Sequence, residues 1–94
     1  MTTFTTLRDH PYAQAKIARR DDGAIALVSY QTTVIAIDPD GWMTVGGLYS
    51  MTTRKHIGAF MREIANLDYH TAKLCYERGW ELNIRTGEIR GEGI

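Results

Sequence analysis

Residues 24–41, AIALVSYQTTVIAIDPDG, contain two β-runs and a turn and so indicate the class of fold. Ala24–Tyr30 is apolar on both faces, which is typical of a central strand that is covered on at least one side. After a polar interruption, Thr33–Asp38 resumes the β-branched pattern. The DPDG tetrapeptide that ends the stretch has proline at the second and glycine at the fourth position of a type I turn. We therefore expect antiparallel strands joined by tight turns.

The flanking segments extend this pattern into a meander. Upstream, AQAKIARR (13–20) is followed by an Asp-Asp-Gly turn, and downstream WMTVGG (42–47) predicts the returning strand. The polar, threonine-rich residues 1–12 predict a flexible lead-in. Near the other end, WELNIRTGEIR (80–90) alternates apolar and polar residues, which predicts a hairpin, and residues 91–94 are expected to be a frayed tail.

Between the meander and the hairpin, the apolar period changes from 2 to 3.6. One stripe predicts a helix from Thr52 to Asn66, and its members are Ile57, Phe60, Met61, Ile64 and Leu67. Gly58 lies beside the stripe and is interpreted as a close approach of the helix to the sheet. A second helix is predicted from its cap Asp68 to Gly79.

These elements predict one α+β domain over residues 1–94. We expect an antiparallel β-meander of about four strands, followed by two helices packed on one face and a C-terminal β-hairpin. At 94 residues the chain is too short for a second core. Such a fold class does not specify a function.

Composition narrows the classes of function. Eleven basic residues balance eleven acidic ones, so the chain lacks the overall field of a nucleic-acid-binding protein and the acidic coat of a DNA mimic. The single cysteine, Cys75, rules out an internal disulfide and is predicted to be a buried small hydrophobe. No apolar run is long enough for a signal peptide or a membrane span, so we expect a cytoplasmic protein.

No catalytic or metal-binding pattern is visible. The chain has no nucleophile elbow and no carboxylate cluster of the nuclease kind. The four side chains that could ligate zinc lack paired spacing; they are His10, His56, His70 and Cys75. We expect a protein that is not an enzyme and that holds no metal or cofactor.

The start of the first helix, YSMTTRKHIGAF (49–60), carries its charges at the unexpected end. Acidic residues usually occupy the first turn of a helix, but Arg54, Lys55 and His56 lie in this one. Three residues are candidate N-caps, namely Ser50, Thr52 and Thr53.

Two interpretations of this helix start remain open. In the first, the hydroxyl groups are redundant caps, Tyr49 packs on the sheet, and Asp38 or Asp40 neutralises the cations. In the second, the free N–H groups, the threonine hydroxyls, Arg54 and Lys55 form an anion site.

Three further side chains are candidates for recognition or chemistry. His56 flanks the apolar stripe, which favours a structural role with one ring nitrogen bonded to a backbone carbonyl or a strand hydroxyl over a catalytic role. Trp42 and Trp80, with Tyr49 and Arg54, are of the residue types that dominate protein–protein hot spots.

The runs LVSYQTTVIAID (27–38) and YSMTTRKHIGAF (49–60) together resemble an uncharacterised family of small proteins encoded by tailed bacteriophages. In that family a Ser-Tyr-x-Thr strand precedes a Tyr-Ser-x-Thr-Thr-x-x-His helix start. The matching positions are Ser29, Tyr30, Thr32, Tyr49, Ser50, Thr52, Thr53 and His56. The resemblance implies a phage origin and an intracellular setting, and it supplies no mechanism.

A small phage protein without a catalytic pattern is similar to the accessory proteins that block bacterial defence, including anti-CRISPR inhibitors. We therefore expect stoichiometric binding to a host protein or ribonucleoprotein complex of a defence system. The binding residues would be Trp42, Tyr49, Ser50, Thr52, Thr53, Arg54, Lys55, His56 and Trp80. Two alternatives stay open: a module that binds a phosphate-bearing ligand such as a signalling nucleotide, and a nucleic-acid-binding early phage protein. A homodimer through an exposed strand edge is a further expectation.

Overall fold

The computed structural model describes residues 1–11 and 13–91 and contains a seven-stranded antiparallel sheet with two helices. The strands are β1 (Thr2–Thr6), β2 (Ala15–Arg20), β3 (Ile25–Ser29), β4 (Thr32–Ile37), β5 (Trp42–Val45), β6 (Trp80–Asn83) and β7 (Ile89–Gly91). Their order in the sheet is their order in the chain. The helices, α1 (Met51–Phe60) and α2 (Tyr69–Arg78), lie between β5 and β6 in the chain. The expected α+β class is confirmed.

The two faces of the sheet differ in composition because side chains alternate along each strand. Ile17, Leu27, Ile35 and Val45 form one row across β2 to β5, and all four are buried. This row belongs to the core beneath the helices. The adjacent row of residues faces the opposite, outer side of the sheet. We call it the alanine row, and it consists of Ala18, Ala26, Ala36 and Thr44.

The turn between β4 and β5 has the predicted geometry. The N–H group of Gly41 donates to the carbonyl oxygen of Asp38 at 2.9 Å. The Asp38 carboxylate also accepts from the N–H groups of Asp40 and Trp42, both at 3.0 Å. The sequence signal was sufficient here because the hydrogen bonds that define the turn join residues 38–42. The carbonyl oxygens of Asp40 and Gly41 also accept hydrogen bonds from the C-terminal hairpin.

The N-terminal segment differs from the predicted flexible lead-in. Thr2–Thr6 pairs along its full length with β2, and Leu7, which follows it, is fully buried. All five β1 residues are exposed, so this edge strand needs no apolar alternation and gives no β signal. With β1 the meander has five strands rather than four. The predicted frayed tail over 91–94 lies, apart from Gly91, outside the described residues.

The predicted core stripe of the first helix is confirmed. Ile57, Phe60 and Met61 are buried, and Ile64 and Leu67 pack partly buried against the core. The helix continues past Phe60 as a π-helical turn, Met61–Ala65.

The predicted approach of Gly58 to the sheet is wrong. A Cβ atom on Gly58 would lie 3.6 Å from the Cβ of Tyr69 and 3.4 Å from an Nη atom of Arg62. Gly58 therefore faces α2 rather than the sheet, with room for a Cβ atom at ordinary contact distance.

The second helix begins and ends as predicted. Asp68 accepts at 3.0 Å from both the N–H group and the hydroxyl of Thr71, and Gly79 adopts the left-handed conformation with φ 67°. Cys75 is buried, and its desolvation raises the pKa of the thiol. Among residues 1–11 and 13–91, no helix combines the length and the apolar character needed to cross a membrane.

Candidate functional site

A groove of about 440 Å³ lies between the two helices and is rich in cationic side chains. We call it the basic groove. Its lining is His10, Met51, Arg54, Lys55, Gly58, Arg62, Tyr69 and Lys73. The members on α1 and the π-helical turn recur three or four residues apart, which places them on one helix face, and Tyr69 and Lys73 are four apart on α2.

Three of the four Lys and Arg side chains in the basic groove lack an acidic partner in the described part of the chain. Arg54, Lys55 and Lys73 form no ion pair within residues 1–11 and 13–91. Arg62 differs, because its Nε and Nη2 atoms both bond Asp9 at 3.4 Å. In a chain with no net charge, the groove is therefore a local positive region.

The aspartates considered as partners for Arg54 and Lys55 lie elsewhere. Asp38 and Asp40 belong to the turn before β5, whereas α1 begins after the opposite end of β5. Asp38 also uses its carboxylate within that turn. The turn therefore does not neutralise the charges of Arg54 and Lys55.

Tyr69, one of the residues that line the basic groove, carries an unsatisfied polar atom. The Tyr69 hydroxyl is buried and has no hydrogen-bond partner among the residues that the structure describes. Buried hydroxyl groups are normally paired, and leaving one unpaired costs roughly 1–3 kcal/mol. Because this oxygen is inaccessible to solvent, a molecule bound in the groove would not reach it without a rearrangement of the tyrosine side chain.

On the opposite side of α1, four side chains form a continuous hydrogen-bonded chain. The hydroxyl oxygens of Ser50 and Thr53 are 3.3 Å apart, and those of Thr53 and Ser29 are 3.2 Å apart. The Ser29 oxygen then lies 3.0 Å from Nδ1 of His56. We call Ser50, Thr53, Ser29 and His56 the polar chain. It joins the start of α1 to the end of β3.

The polar chain settles two of the predicted roles. Ser50 is the N-cap, since its hydroxyl accepts from the N–H group of Thr53 at 3.2 Å. The expected bond between His56 and a strand hydroxyl is confirmed, because Ser29 lies on β3. Desolvation lowers the pKa of His56, and the neighbouring His10 lowers it further, so the neutral imidazole is favoured.

The polar chain does not have the geometry of a catalytic dyad. Ser29 is only 2% exposed and His56 only 3% exposed. A nucleophile must reach the carbon that it attacks, and the Ser29 hydroxyl is shielded from any bound molecule. This Ser–His pair therefore holds α1 on the sheet.

The predicted anion site at the helix start is divided between two faces of α1. Arg54 and Lys55 face the basic groove, and Thr52 is exposed. Thr53 and His56 point inward, and the Thr53 hydroxyl is engaged in the polar chain. Arg54 and Lys55 therefore share a surface with Tyr69 and Lys73 of α2, and not with the hydroxyl group of Thr53.

Tyr49 does not pack into the sheet. It is 56% exposed, has a left-handed backbone with φ 49°, and turns its ring over Gly47. A Cβ atom on Gly47 would lie 2.7 Å from Cε2 of that ring. Tyr30 is equally exposed, and its ring centroid lies 6.1 Å from that of His56. Both tyrosines are thus surface side chains beside the helix start.

The structure does not bring the two tryptophans to the helix start or to each other. Trp42 begins β5 at the end remote from α1, where the guanidinium of Arg90 stacks on its ring at 4.0 Å. It lines a second cavity of about 420 Å³ over the alanine row of the outer face. Trp80 alternates with Glu81 on β6 and so points to the other face, where Arg78 lies 5.5 Å from its ring.

Sequence reasoning missed the groove residues outside the helix start. Lys73 and Tyr69 come from α2, and Arg62 lies on the π-helical turn. The spacing of four residues from Arg54 to Gly58 to Arg62 was a usable signal, because it places the two arginines on one face with a glycine between them. No sequence signal indicates that α2 supplies the other wall.

Comparison with known proteins gives a family and no assigned activity. No curated protein and no solved structure was found to match the chain. The phage origin implied by the resemblance therefore stays a prediction. Residues 2–79, well over half of the chain and including every residue of the polar chain, match DUF8033. The chain belongs to this family, which is described as a family of unknown function.

Proposed function

We propose that this protein acts by stoichiometric binding and inhibits a bacterial antiviral defence complex, in the manner of anti-CRISPR proteins. The observation that carries the proposal is the basic groove, in which Arg54, Lys55 and Lys73 have no acidic partner in the described part of the chain. Defence complexes that carry or capture nucleic acid present phosphates and acidic protein surfaces, and both attract such a groove.

The basic groove suits docking better than chemistry. Arg54, Lys55 and Arg62 are exposed, Lys73 is half-buried, and these cations would supply attraction and orientation. The only Ser–His pair described is buried on the other side of α1. The second cavity is less suitable for a charged partner because Arg20 lies beside Asp22, and Asp38 and Glu81 also line it. The partner would therefore meet the helical side of the molecule.

The proposal is tested by phage infection of bacteria that express this protein. We expect it to restore plaque formation by a sensitive phage on a host with an active CRISPR–Cas system. The double variant Arg54→Ala/Lys55→Ala should lose most of that effect, since it removes the charges that face the groove.

Lys16→Ala/Arg19→Ala is the matched control. These two exposed cations lie on β2, away from the basic groove, so the control removes the same charge and should retain activity. Equal activity of both double variants would exclude the groove. Failure to restore plaques on a panel of hosts with different defence systems would exclude the inhibitor function.

A phosphate-bearing small ligand is a second candidate, because Arg54, Lys55 and Lys73 line the groove without an acidic partner among residues 1–11 and 13–91. Thermal unfolding with a panel of cyclic and linear nucleotides tests it. A ligand at 100 times its dissociation constant should stabilise the fold by about 2.7 kcal/mol. Absence of any shift across the panel would remove this candidate.

A further inference from the structure

The first strand leaves one edge of the sheet open. Strand β1 pairs with β2 on one side and has no neighbour on the other among the described residues. Its outward backbone N–H and C=O groups form a template for another strand. Proteins usually protect such an edge with charge, proline, a bulge or a very short strand.

The two edges of this sheet are protected to different degrees. At the far edge, β7 has only three residues, one of them the charged Arg90. By contrast, β1 has five residues, Thr-Thr-Phe-Thr-Thr, without charge, proline or glycine. The register of β1 against β2 is regular from Thr2 to Thr6, so no bulge twists the edge away. Of the two edge strands among the described residues, only β1 is both regular and free of these protective features.

The sequence of β1 reads the same in both directions about Phe4. Two copies of a strand that pair antiparallel around a twofold axis place residue i of one copy opposite its mirror position in the other. With the axis at Phe4, each phenylalanine meets its own copy, Thr3 meets Thr5, and Thr2 meets Thr6. Aromatic pairs and Thr–Thr pairs are both favourable across strands.

The exposure of the Phe4 side chain is consistent with a second molecule that covers it. This side chain is 59% exposed on the outer face, where it lies opposite Ala18 at the end of the alanine row. A large aromatic side chain next to small ones leaves one flank of its ring uncovered. The same phenylalanine from a second copy would cover that flank.

We propose that two copies of this protein pair through β1, antiparallel and with the twofold axis at Phe4, to form one continuous sheet. The partner is a second copy because β1 is uncharged, its sequence is symmetric about Phe4, and its outward N–H and C=O groups match those of an identical antiparallel strand. This inference does not depend on the basic groove, so each can fail without the other.

Sedimentation equilibrium over a range of concentrations tests the proposal. We expect wild-type mass to approach twice 10.6 kDa as concentration rises. Phe4→Lys and Phe4→Glu should each be monomeric, because like charges would face each other at the axis. An equimolar mixture of the two variants should recover the dimer, which also shows that both variants fold.

Two controls locate the contact. Tyr76→Lys changes a comparably exposed aromatic side chain on α2 and should leave the dimer intact. Phe4→Cys should form a disulfide-linked dimer under mild oxidation, since paired Cα atoms in an antiparallel ladder lie within disulfide range. Thr2→Cys alone should not, because its own copy would be about four residues distant along the strand.

A wild-type mass that stays at 10.6 kDa would overturn the proposal. So would a dimer that survives both charged Phe4 variants, or a mixture of them that remains monomeric. Open-ended aggregation in place of a dimer would also count against it, because a twofold contact closes on itself.

Discussion

His56 shows how one side chain can connect the two layers of the fold. Its Nδ1 atom bonds Ser29 on β3, and Tyr30 and His10 place their rings beside it. Because the ring is only 3% exposed, protonation would put a charge where water does not reach it well. The fold therefore favours the neutral ring.

This preference predicts a pH dependence of stability. The pKa of His56 is lower in the folded chain than the unfolded value of about 6.5, so the unfolded state takes up the proton first as pH falls. The free energy of unfolding should be highest above pH 6.5 and should decrease as pH falls through the interval down to the folded pKa. Denaturant midpoints measured from about pH 5 to about pH 8 check this expectation.

Two variants separate His56 from the other histidines. His56→Gln should be less stable at neutral pH, and its stability should change less over that pH interval. His70→Gln, which removes an exposed histidine of α2, is the matched control. An unchanged slope in His56→Gln would assign the pH dependence to another group.

At the scale of the element, two glycines at the helices have opposite roles. Gly58 has ordinary helical geometry inside α1, and a Cβ atom there would find only normal contacts, the nearest at 3.4 Å. Gly79 ends α2 with φ 67°, a conformation that a residue with a Cβ atom adopts at a cost. The same substitution should therefore have opposite signs at the two positions.

We expect Gly58→Ala to stabilise the protein by up to about 1 kcal/mol, the difference in helix propensity. Gly79→Ala should destabilise it by about 1 kcal/mol through left-handed strain. Urea unfolding of both variants beside wild type measures the two effects. Destabilisation by Gly58→Ala would mean that α1 and α2 are packed more tightly than these distances indicate.

Elements with strong local signals were predictable from sequence. The turn at residues 38–41, the cap at Asp68 and the helix end at Gly79 all depend on contacts within a few residues. Strand β1 was not predictable, because an edge strand exposed on both faces lacks an apolar pattern. The π-helical turn after Phe60 was not predictable either, because the apolar stripe continues through it and the sequence shows no change of pattern there.

The candidate site was only partly predictable for a related reason. Arg54 and Lys55 were indicated by the sequence because cations are unusual in a first helical turn. With the cap at Ser50, that turn consists of residues 51–54, so Lys55 and His56 lie just after it. The inward orientation of Thr53 and His56 depends on Ser29, which is more than twenty residues away in the chain. Whether a helix-start hydroxyl faces solvent or core is decided by tertiary packing, which residue types alone do not encode.

At the scale of the whole molecule, the sheet should be most stable at its centre. Strands β3 and β4 are paired on both sides and contribute buried residues such as Leu27 and Ile35. Amide hydrogen exchange should therefore be slowest in these two strands and fastest in β7, which is short and exposed.

Hydrogen exchange also reports on the proposed dimer. In a monomer the outward amides of β1 should exchange rapidly at every concentration. In the dimer they should become protected as concentration rises, while exchange in β7 stays the same. Concentration-independent exchange in β1 would agree with a monomer, and slow exchange in β7 would contradict the stability order across the sheet.

The agreement between strand order and chain order has a consequence for how the molecule folds. Each neighbouring pair from β1 to β5 is joined by a short connection, whereas pairing of β5 with β6 must enclose residues 46–79. Closing a long loop costs more entropy than closing a short one, and non-local pairing slows folding. The five-stranded meander should therefore nucleate folding, with β6 and β7 added last. The helices would then dock onto a surface that already exists, and the cleft between them would be among the last parts of the molecule to take shape.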